Sequence, residues 1–287
     1  MKIGDLKAML QSRGLAPSHR LGQNFLVDPA LLEAIPRDAG VKPGERVLEV
    51  GPGAGALTES LLAAGAKLLA VELDHGLADY LRERFATELE SGQFQLVEGD
   101  ALGPHETFHS QVESWWVDGP APRLVANLPY AISGPFLGRL VGRPQLGATL
   151  LLQREVAEKA AFQGGAKNAG PLPIRLGLFF HVKMGRRLPP EVFWPRPKIS
   201  SAFLHLEPRA DAPSASIDAS LKAILQLGFG QRRKALLSRL RKVHPLAAGA
   251  LTDAGVDSTA RPEVVPAALW LAAAEADSMG RSSFSEA

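Results

Sequence analysis

The feature that most restricts the fold is a short apolar strand that runs directly into a glycine-rich turn. Residues 46–50 are mostly apolar, which predicts a buried strand, and Gly51-Pro-Gly53-Ala-Gly55 follows at once. From Leu57 onward the spacing of leucines predicts a helix. Glycine lets the backbone turn tightly and approach a ligand, and the first amides of the helix are free to bind polar groups. This order of elements is typical of a nucleotide-binding α/β unit.

The alternation of strands and helices continues through most of the chain. Further apolar runs predict strands at residues 67–71, 94–97, 124–126, 148–153 and 201–206, with a helical pattern over residues 75–89. This alternation predicts an α/β fold with a doubly wound, mostly parallel, Rossmann-like sheet. Beyond residue 216 the patterning is only helical, which predicts a small all-helical C-terminal domain.

Composition changes along the chain suggest the domain boundaries. Residues 1–28 are a basic, polar opening, residues 29–207 the sheet domain, and residues 208–216 a linker rich in Pro, Ala and Ser. We expect a helical domain at residues 217–276 and a disordered tail at residues 277–287. Two internal segments, residues 105–122 and 163–173, are predicted to be irregular, the second of them mobile because of its Gly, Lys and Pro content.

The composition excludes some classes of protein and favours one kind of partner. The chain has no cysteine, so disulfides and thiolate metal sites are excluded. No secretory signal or membrane span is visible, and we expect a cytosolic protein. The net charge is only +2, but residues 72–118 carry 11 acidic and 2 basic residues, whereas residues 183–242 carry 13 basic and 4 acidic ones. The basic half indicates a polyanionic partner or, equally well, a solvated face.

Polar side chains follow several of the predicted strands, at the edge where parallel strands end together. Glu72 ends the second strand, 21 residues after Gly51, where an acid accepts hydrogen bonds from ribose hydroxyls. Asp100 follows the third strand and can accept from an adenine amine. These residues predict a nucleoside site, and they leave S-adenosylmethionine and a nicotinamide dinucleotide equally open.

Asn127-Leu-Pro-Tyr130 follows the strand at residues 124–126 and suits a planar ring that carries an amino group. The ring would stack on the Tyr face, while the amine donates to the Asn oxygen and to a backbone carbonyl beside the Pro. On its own, this tetrapeptide is explained more simply as a turn after a strand. Its position as the fourth functional strand end, after those at Gly51, Glu72 and Asp100, favours the functional interpretation.

The motifs together resemble one family, the ribosomal RNA adenine N6-dimethyltransferases, and most closely its small-subunit branch, the kasugamycin-sensitivity methyltransferases. They occur in family order over residues 20–205. The matching segments are Leu21-Gly-Gln-Asn-Phe-Leu26, Val47-Leu-Glu-Val-Gly-Pro-Gly-Ala-Gly-Ala-Leu-Thr58, Val71-Glu-Leu-Asp74, Gly99-Asp100, Asn127-Leu-Pro-Tyr130, Gln153-Arg-Glu-Val-Ala-Glu158 and Phe193-Trp-Pro-Arg-Pro-Lys198.

The resemblance implies a role for each matching residue. It implies that S-adenosylmethionine is bound by Gln23, Asn24, Leu26, Gly51, Gly53, Glu72, Leu73, Asp100, Ala101 and Asn127. The target adenine would be held through its N6 by Asn127 and the Pro129 carbonyl, with Tyr130 on one face of the base and Phe193 on the other. The segment Gln231-Arg-Arg-Lys234 also resembles the start of the family's basic helix. The basic residues of the helix predicted there would contact phosphates of the small-subunit RNA precursor or, alternatively, form a solvated helix face; they are Arg232, Arg233, Lys234, Arg239, Arg241 and Lys242. The seven histidines are scattered along the chain, so we expect no metal site, and we expect a monomer.

Two positions depart from the family pattern. The family usually has Tyr-Gly-Arg-Leu-Ser where this chain has Ala169-Gly-Pro-Leu-Pro173, and often an Asp where this chain has Ser200. Both lie in the target-facing half. Three alternatives stay open: the related large-subunit methyltransferase of macrolide resistance, a weakly catalytic ribosome-assembly factor, and a nicotinamide dehydrogenase.

Overall fold

The computed structural model describes residues 2–18, 20–143, 145–161, 169–231 and 234–285, with residues 281–285 described by their backbone alone. The chain divides into two compact units. The first comprises Met1–Arg139, Arg143–Ala157 and Lys183–Glu207. The second comprises Leu140–Gly142, Glu158–Val182 and Pro208–Ala287, so it takes residues from inside the predicted sheet domain as well as the C-terminal region.

The six strands predicted above lie close to their observed positions, and the described residues contain further strands. The observed strands are β1 (Phe25–Leu26), β2 (Arg46–Val50), β3 (Lys67–Glu72), β4 (Phe94–Glu98), β5 (Arg123–Asn127), β6 (Gly147–Gln153), β7 (Phe180–Leu188), β8 (Phe193–Trp194) and β9 (Ser201–Pro208). Among the described residues, seven of them form the main sheet in the order β4-β3-β2-β5-β6-β9-β7, and β1 pairs with β8 in a small separate sheet.

The main sheet confirms the α/β prediction and its mostly parallel character. The five strands β2 to β6 run parallel to one another. β9 is antiparallel to β6, with Ser201 opposite Gln153. The parallel strands therefore end at one edge of the sheet, and β9 begins at that edge. Val47 and Leu48 of β2 are both buried, as expected for a central strand covered on both faces.

The helices surround this sheet or form the second unit. They are α1 (Ile3–Ser12), α2 (Pro29–Asp38), α3 (Ala56–Ala63), α4 (His75–Arg84), α5 (Ala86–Glu90), α6 (Ser110–Val117), α7 (Ser133–Leu140), α8 (Arg154–Ala160), α9 (Pro171–Phe179), α10 (Ala215–Phe229), α11 (Leu236–Val243), α12 (Pro245–Asp253) and α13 (Ala267–Ser285). None of the described helices is both long and apolar enough to cross a membrane.

Several helices differ from the sequence predictions. The chain opening contains α1, whose buried Leu6 and Leu10 pack with Phe25, and α6 occupies part of the segment predicted to be irregular. The helix predicted over residues 75–89 is interrupted at Phe85, which gives α4 and α5. Most of the segment predicted to be a mobile loop lies outside the described residues, and its last three residues begin α9.

The second unit packs α9 to α13 around its own core. Buried leucines of α10, α11 and α12 pack with Trp270 of α13, whose side chain is fully buried. The prediction of a disordered tail from residue 277 is wrong, because α13 continues to Ser285. Asp277 of this helix is buried, and its carboxylate forms a hydrogen bond of 3.1 Å with the ring Nδ1 of His244.

Candidate active site

The carboxyl ends of β2, β3, β4 and β5 surround one cavity in the first unit. Its lining contains every residue predicted to bind a cofactor: Gln23, Asn24, Leu26, Gly51, Gly53, Glu72, Leu73, Asp100, Ala101 and Asn127. The strand-end residues Gly51, Glu72, Asp100 and Asn127, which are distant from one another in the sequence, thus lie at the same place. The lining also includes Leu6 of α1, Arg20 and Glu49, which the sequence reasoning had not selected.

The glycine turn after β2 has no space for a side chain at Gly51 or Gly53. Gly51 and Gly53 have φ angles of +70° and +58°, which residues with a side chain rarely adopt. A Cβ on Gly51 would lie 3.0 Å from a Pro129 side-chain carbon, and one on Gly53 would lie 2.9 Å from the ring of Phe25. The turn is therefore a backbone cradle, as a closely bound small molecule requires.

Glu72 at the end of β3 is held in place by backbone amides. One carboxylate oxygen accepts from the Gly53 N–H and the other from the Asp74 N–H, each at 2.9 Å. The side chain is buried, and burial raises the pKa of the carboxyl, an effect that these hydrogen bonds partly offset. Each oxygen keeps a further lone pair, so Glu72 can still accept from the two hydroxyls of a ribose.

Glu49 is an additional acid of the cavity lining, next to the last residue of the mostly apolar strand β2. Only 1% of the residue is exposed, and its carboxyl accepts from the Thr58 hydroxyl at 2.7 Å. Burial raises its pKa to about 8, while the Thr58 hydrogen bond lowers the value and the nearby Glu72 raises it further. A charged residue type inside a buried strand was the signal in the sequence that could have identified it.

Asp100 and Ala101 follow β4 and also line the cavity. One oxygen of Asp100 accepts from the Leu102 N–H at 2.8 Å. This bond closes a short turn and fixes the carboxylate while its second oxygen remains available for a donor such as an adenine amine. Ala101 is buried and presents only a methyl group to the lining.

The segment before β1 crosses the cavity and is anchored through Gln23. The side-chain amide of Gln23 donates to Asp74 at 3.0 Å, and its oxygen accepts from the Ser18 N–H at 2.7 Å. Asp74 is also the N-cap of α4 and the residue whose N–H holds Glu72. The same few bonds therefore fix both the segment that closes the cavity and the acid at its wall.

Asn127 at the end of β5 has a defined side-chain orientation. Its Nδ2 donates to the backbone carbonyl of Asn24 at 3.1 Å. Since an amide carries donors on one side and an acceptor on the other, this bond directs Oδ1 away from Asn24. Asn127 lines the cavity, and its bond to the closing segment restricts the orientation of the amide, whose Oδ1 is a candidate acceptor for a base amine.

The prediction that the Pro129 carbonyl receives a base amine is wrong in this arrangement. That carbonyl accepts from the Ile132 N–H at 3.1 Å and from the Ser133 hydroxyl at 3.3 Å, so both lone pairs have partners in the turn that follows. No described residue donates to the carbonyl of Leu128, which also lines the cavity. Leu128 is the better candidate for the second acceptor.

The two predicted aromatic residues differ in their surroundings. Tyr130 lines the cavity, and its hydroxyl shares a hydrogen bond of 2.8 Å with the Ser201 hydroxyl. Phe193 does not line the cavity: it is 3% exposed and packs in the main core, because its pairing with Leu26 in the β1–β8 sheet turns it inward. Phe193 therefore offers no ring face to the cavity, in contrast to the prediction that it covers the base.

The predicted phosphate-binding residues are not equivalent. Arg239 is half-buried and donates to the carbonyls of Leu227 and Gly228 at the end of α10, the second at 3.0 Å. It therefore caps a helix, and the prediction that it binds phosphate is wrong. Exposed cations do occur at Lys234, Arg241 and Lys242, whereas the predicted residues Arg232 and Arg233 lie outside the described residues.

One group of possible metal ligands occurs away from the cavity lining. Ligand atoms of His75, Asp79 and Glu98 lie within 4.8 Å of one another. Arg82 already pairs with Asp79 at 2.7 Å and with Glu98 at 2.6 Å, and the His75 Nδ1 lies 2.7 Å from Glu98. These ion pairs account for the cluster, and we assign no metal to it.

Comparison with known proteins identifies one family for this chain. A family model described as "Ribosomal RNA adenine dimethylase" matches residues 16–276. A protein of Magnetococcus marinus named "Ribosomal RNA small subunit methyltransferase A" is 37% identical, over 91% of this chain and 92% of its own length. A protein of Prochlorococcus marinus with the same name is 39% identical, over 88% and 91%.

Solved structures support the fold. A crystal structure of the 23S rRNA methyltransferase ErmE has a TM-score of 0.63 at 24% identity and covers 88% of this chain and 98% of its own. A dimethyladenosine transferase from Plasmodium falciparum has a TM-score of 0.67 at 23% identity and covers 87% and 95%. At this identity the likeness concerns the fold alone.

Proposed function

Because the chain belongs to the ribosomal RNA adenine dimethylase family, we propose that it methylates N6 of adenines twice in small-subunit (16S) ribosomal RNA, with S-adenosylmethionine as methyl donor. The observation that carries this proposal is the oriented amide of Asn127 beside the glycine cradle and Glu72 in one cavity. The related proteins that match most of this chain are named as small-subunit methyltransferases.

The cofactor-binding part follows from the chemistry of the lining. The backbone cradle at Gly51 and Gly53 accommodates the methionine part, Glu72 accepts from the ribose hydroxyls, and Asp100 accepts from the adenine amine. S-adenosylmethionine supplies an electrophilic methyl group when it is bound. The protein's contribution is to place an acceptor amine in line with that methyl, since positioning accounts for much of the rate in a displacement.

The base-binding part has to make a poor nucleophile react. The lone pair of an adenine amine is delocalised into the ring, so the nitrogen is nearly planar. Two acceptors, Asn127 Oδ1 and the Leu128 carbonyl, would hold the amine hydrogens and stabilise the positive charge that develops on the nitrogen. Tyr130 offers its ring face to the base, which must leave its stack to enter the cavity. After the transfer the N6 proton is acidic and passes to water, so no strong base or metal is required.

RNA binding is assigned to exposed cations of the second unit. Lys234, Arg241 and Lys242 are exposed and free of the helix-capping bonds that occupy Arg239. Such contacts neutralise phosphates and make affinity depend steeply on salt. A monomer is part of this proposal, and ribosomal RNA as substrate supports a role in ribosome biogenesis in the cytoplasm.

The choice of ribosomal subunit is tested by methylating unmodified small and large subunits in parallel with labelled S-adenosylmethionine. We expect label in the small-subunit RNA. Label found only in the large-subunit RNA would replace this proposal by the macrolide-resistance activity. A thermal shift with S-adenosylmethionine but none with NAD is expected in the same preparation, because the cavity is assigned to the methyl donor.

A purely RNA-binding role is separated from catalysis by two variants. Asn127→Ala removes the oriented acceptor and is expected to abolish turnover while RNA affinity is kept. Lys242→Ala is the converse: it weakens RNA binding and reduces the salt dependence, while turnover at saturating RNA is kept. If Asn127→Ala retained full turnover, the amide would have no part in the chemistry.

A further inference from the structure

Ser201 lies at an unusual place in the sheet. It is the first residue of β9, which runs antiparallel to β6, and it faces Gln153, the last residue of β6. The start of β9 is therefore at the same edge as the ends of the parallel strands, where the cavity lies. Ser201 is completely buried, although serine is usually exposed.

The partner of Ser201 is Tyr130, which follows directly on the Asn127–Pro129 segment. The two hydroxyls are 2.8 Å apart, a normal distance for a hydrogen bond between hydroxyls. Tyr130 is partly buried, and burial raises the pKa of its phenol, so the ring stays neutral at physiological pH. The bond attaches the outer end of the ring to β9, while the backbone attaches its inner end to the turn after β5.

We propose that Ser201 is a positioning residue that fixes the plane of the Tyr130 ring, so that the ring face is presented to the target base. The proposal rests on the methyltransferase function proposed above. Rotation about the Cβ–ring bond of tyrosine is broad, so packing alone defines it weakly. A hydrogen bond at the far end of the ring removes this freedom before the base arrives, and stacking then requires less ordering.

The aromatic residues around the cavity explain why the orientation of Tyr130 is important for binding the base. Phe193, expected to cover the other face of the base, is turned into the core. Among the described residues that line the cavity, the aromatic ones are Tyr130 and Phe25, and the latter stacks on Trp194. Tyr130 is thus the ring available to the base beside Asn127, and its orientation depends on one hydroxyl from a distant strand.

The test is a double-mutant cycle with Ser201→Ala, Tyr130→Phe and the double variant, measured as kcat/KM for small ribosomal subunits at saturating S-adenosylmethionine. Each single change removes the same bond and is expected to lower kcat/KM by about fivefold, the range of one neutral hydrogen bond. The double variant should be no worse than the weaker single variant, because the bond can be lost only once. The dissociation constant of S-adenosylmethionine should not change.

Ser220→Ala is the matched control, since it removes another buried serine hydroxyl, in α10 and outside the cavity lining, and should leave kcat/KM unchanged. Losses that multiply in the double variant, or an unchanged Ser201→Ala enzyme, would overturn the proposal. If Ser201→Ala does not fold, Tyr130→Phe against wild type decides, and an unchanged kcat/KM rejects the role.

Failure of the proposed function is recognised separately, as a wild-type protein that methylates no RNA. The positioning role is then measured by quenching of 2-aminopurine in a single-stranded adenine oligoribonucleotide, which reports stacking on the tyrosine. Quenching by wild type that is lost in Ser201→Ala supports the role. Equal quenching, or none by wild type, rejects it.

Discussion

Replacing Glu49 by Gln should change how the stability of this protein depends on pH. The carboxyl of Glu49 is 1% exposed, and its pKa is raised from an ordinary 4.5 to about 8, chiefly by burial. The folded protein therefore keeps a proton on Glu49 at pH values where the unfolded chain has lost it. Stability falls with rising pH wherever the folded state binds more protons, so this group destabilises the fold progressively above pH 4.5.

The size of the effect follows from the two pKa values. They differ by about 3.5 pH units, and each unit corresponds to about 1.36 kcal/mol, so the contribution of protonated Glu49 amounts to ~5 kcal/mol. It is fully present below pH 4.5 and is lost as the pH approaches and passes about 8. The amide introduced by Glu49→Gln would be uncharged throughout, could still hydrogen-bond to Thr58, and would lose none of this energy.

The assay is urea unfolding of wild type and Glu49→Gln at several pH values between about 5 and 8. We expect the stability of the variant relative to wild type to improve by about 1.4 kcal/mol per pH unit, the limit for one proton. Glu33→Gln, an exposed position on α2, serves as the control and should follow the wild-type curve. Parallel curves for wild type and Glu49→Gln would show that Glu49 is ionised in the folded protein.

Three further changes test other parts of the site. Gly53→Ala would place a Cβ against the ring of Phe25 and strain a backbone with a φ of +58°, and should weaken S-adenosylmethionine binding at least about tenfold in calorimetry. Gly92→Ala is the control, because Gly92 also has a positive φ but lies in open space, and it should leave binding unchanged. Arg239→Gln should cost about 1–3 kcal/mol of stability in denaturant unfolding, whereas Arg241→Gln should not, and equal costs would contradict the capping role. Gln23→Ala should weaken cofactor binding and speed proteolysis of the opening segment; unchanged values would mean that its bonds do not close the cavity.

The sequence predicted the cavity better than it predicted the contacts inside it. Gly51, Glu72, Asp100 and Asn127 each follow an apolar run, and parallel strands bring such ends together whatever the details of packing. The prediction therefore needed only the strand pattern. The direction of the Pro129 carbonyl was not accessible in this way, because it depends on the turn that the next three residues adopt.

Long-range side-chain contacts were the main source of error. Ser201 and Tyr130 are 71 residues apart, and their bond exists because β9 runs antiparallel, which no local pattern reveals. Arg239 and Arg241 belong to the same predicted basic helix, yet of the two it is Arg239 that reaches the carbonyls of α10. Phe193 illustrates the effect of strand pairing, since a shift by one residue would have turned it outward.

Some secondary structure was missed for a similar reason. α1 lies in a segment whose basic and polar residues did not predict a helix, and its buried Leu6 and Leu10 become significant only against the surface formed by Phe25 and Leu77. The end of α13 contains polar residues that suggested disorder, but Asp277 is paired with the buried His244. In both places tertiary contacts stabilise helices whose local sequence gives a weak signal.

The central claim is tested most directly by mass spectrometry of nucleosides from small-subunit RNA that has been incubated with the protein and S-adenosylmethionine. We predict N6,N6-dimethyladenosine with wild type and none with Asn127→Ala, which lacks the oriented amide. Methylation that is absent with wild type, confined to another base or atom, or unaffected by Asn127→Ala would contradict this account.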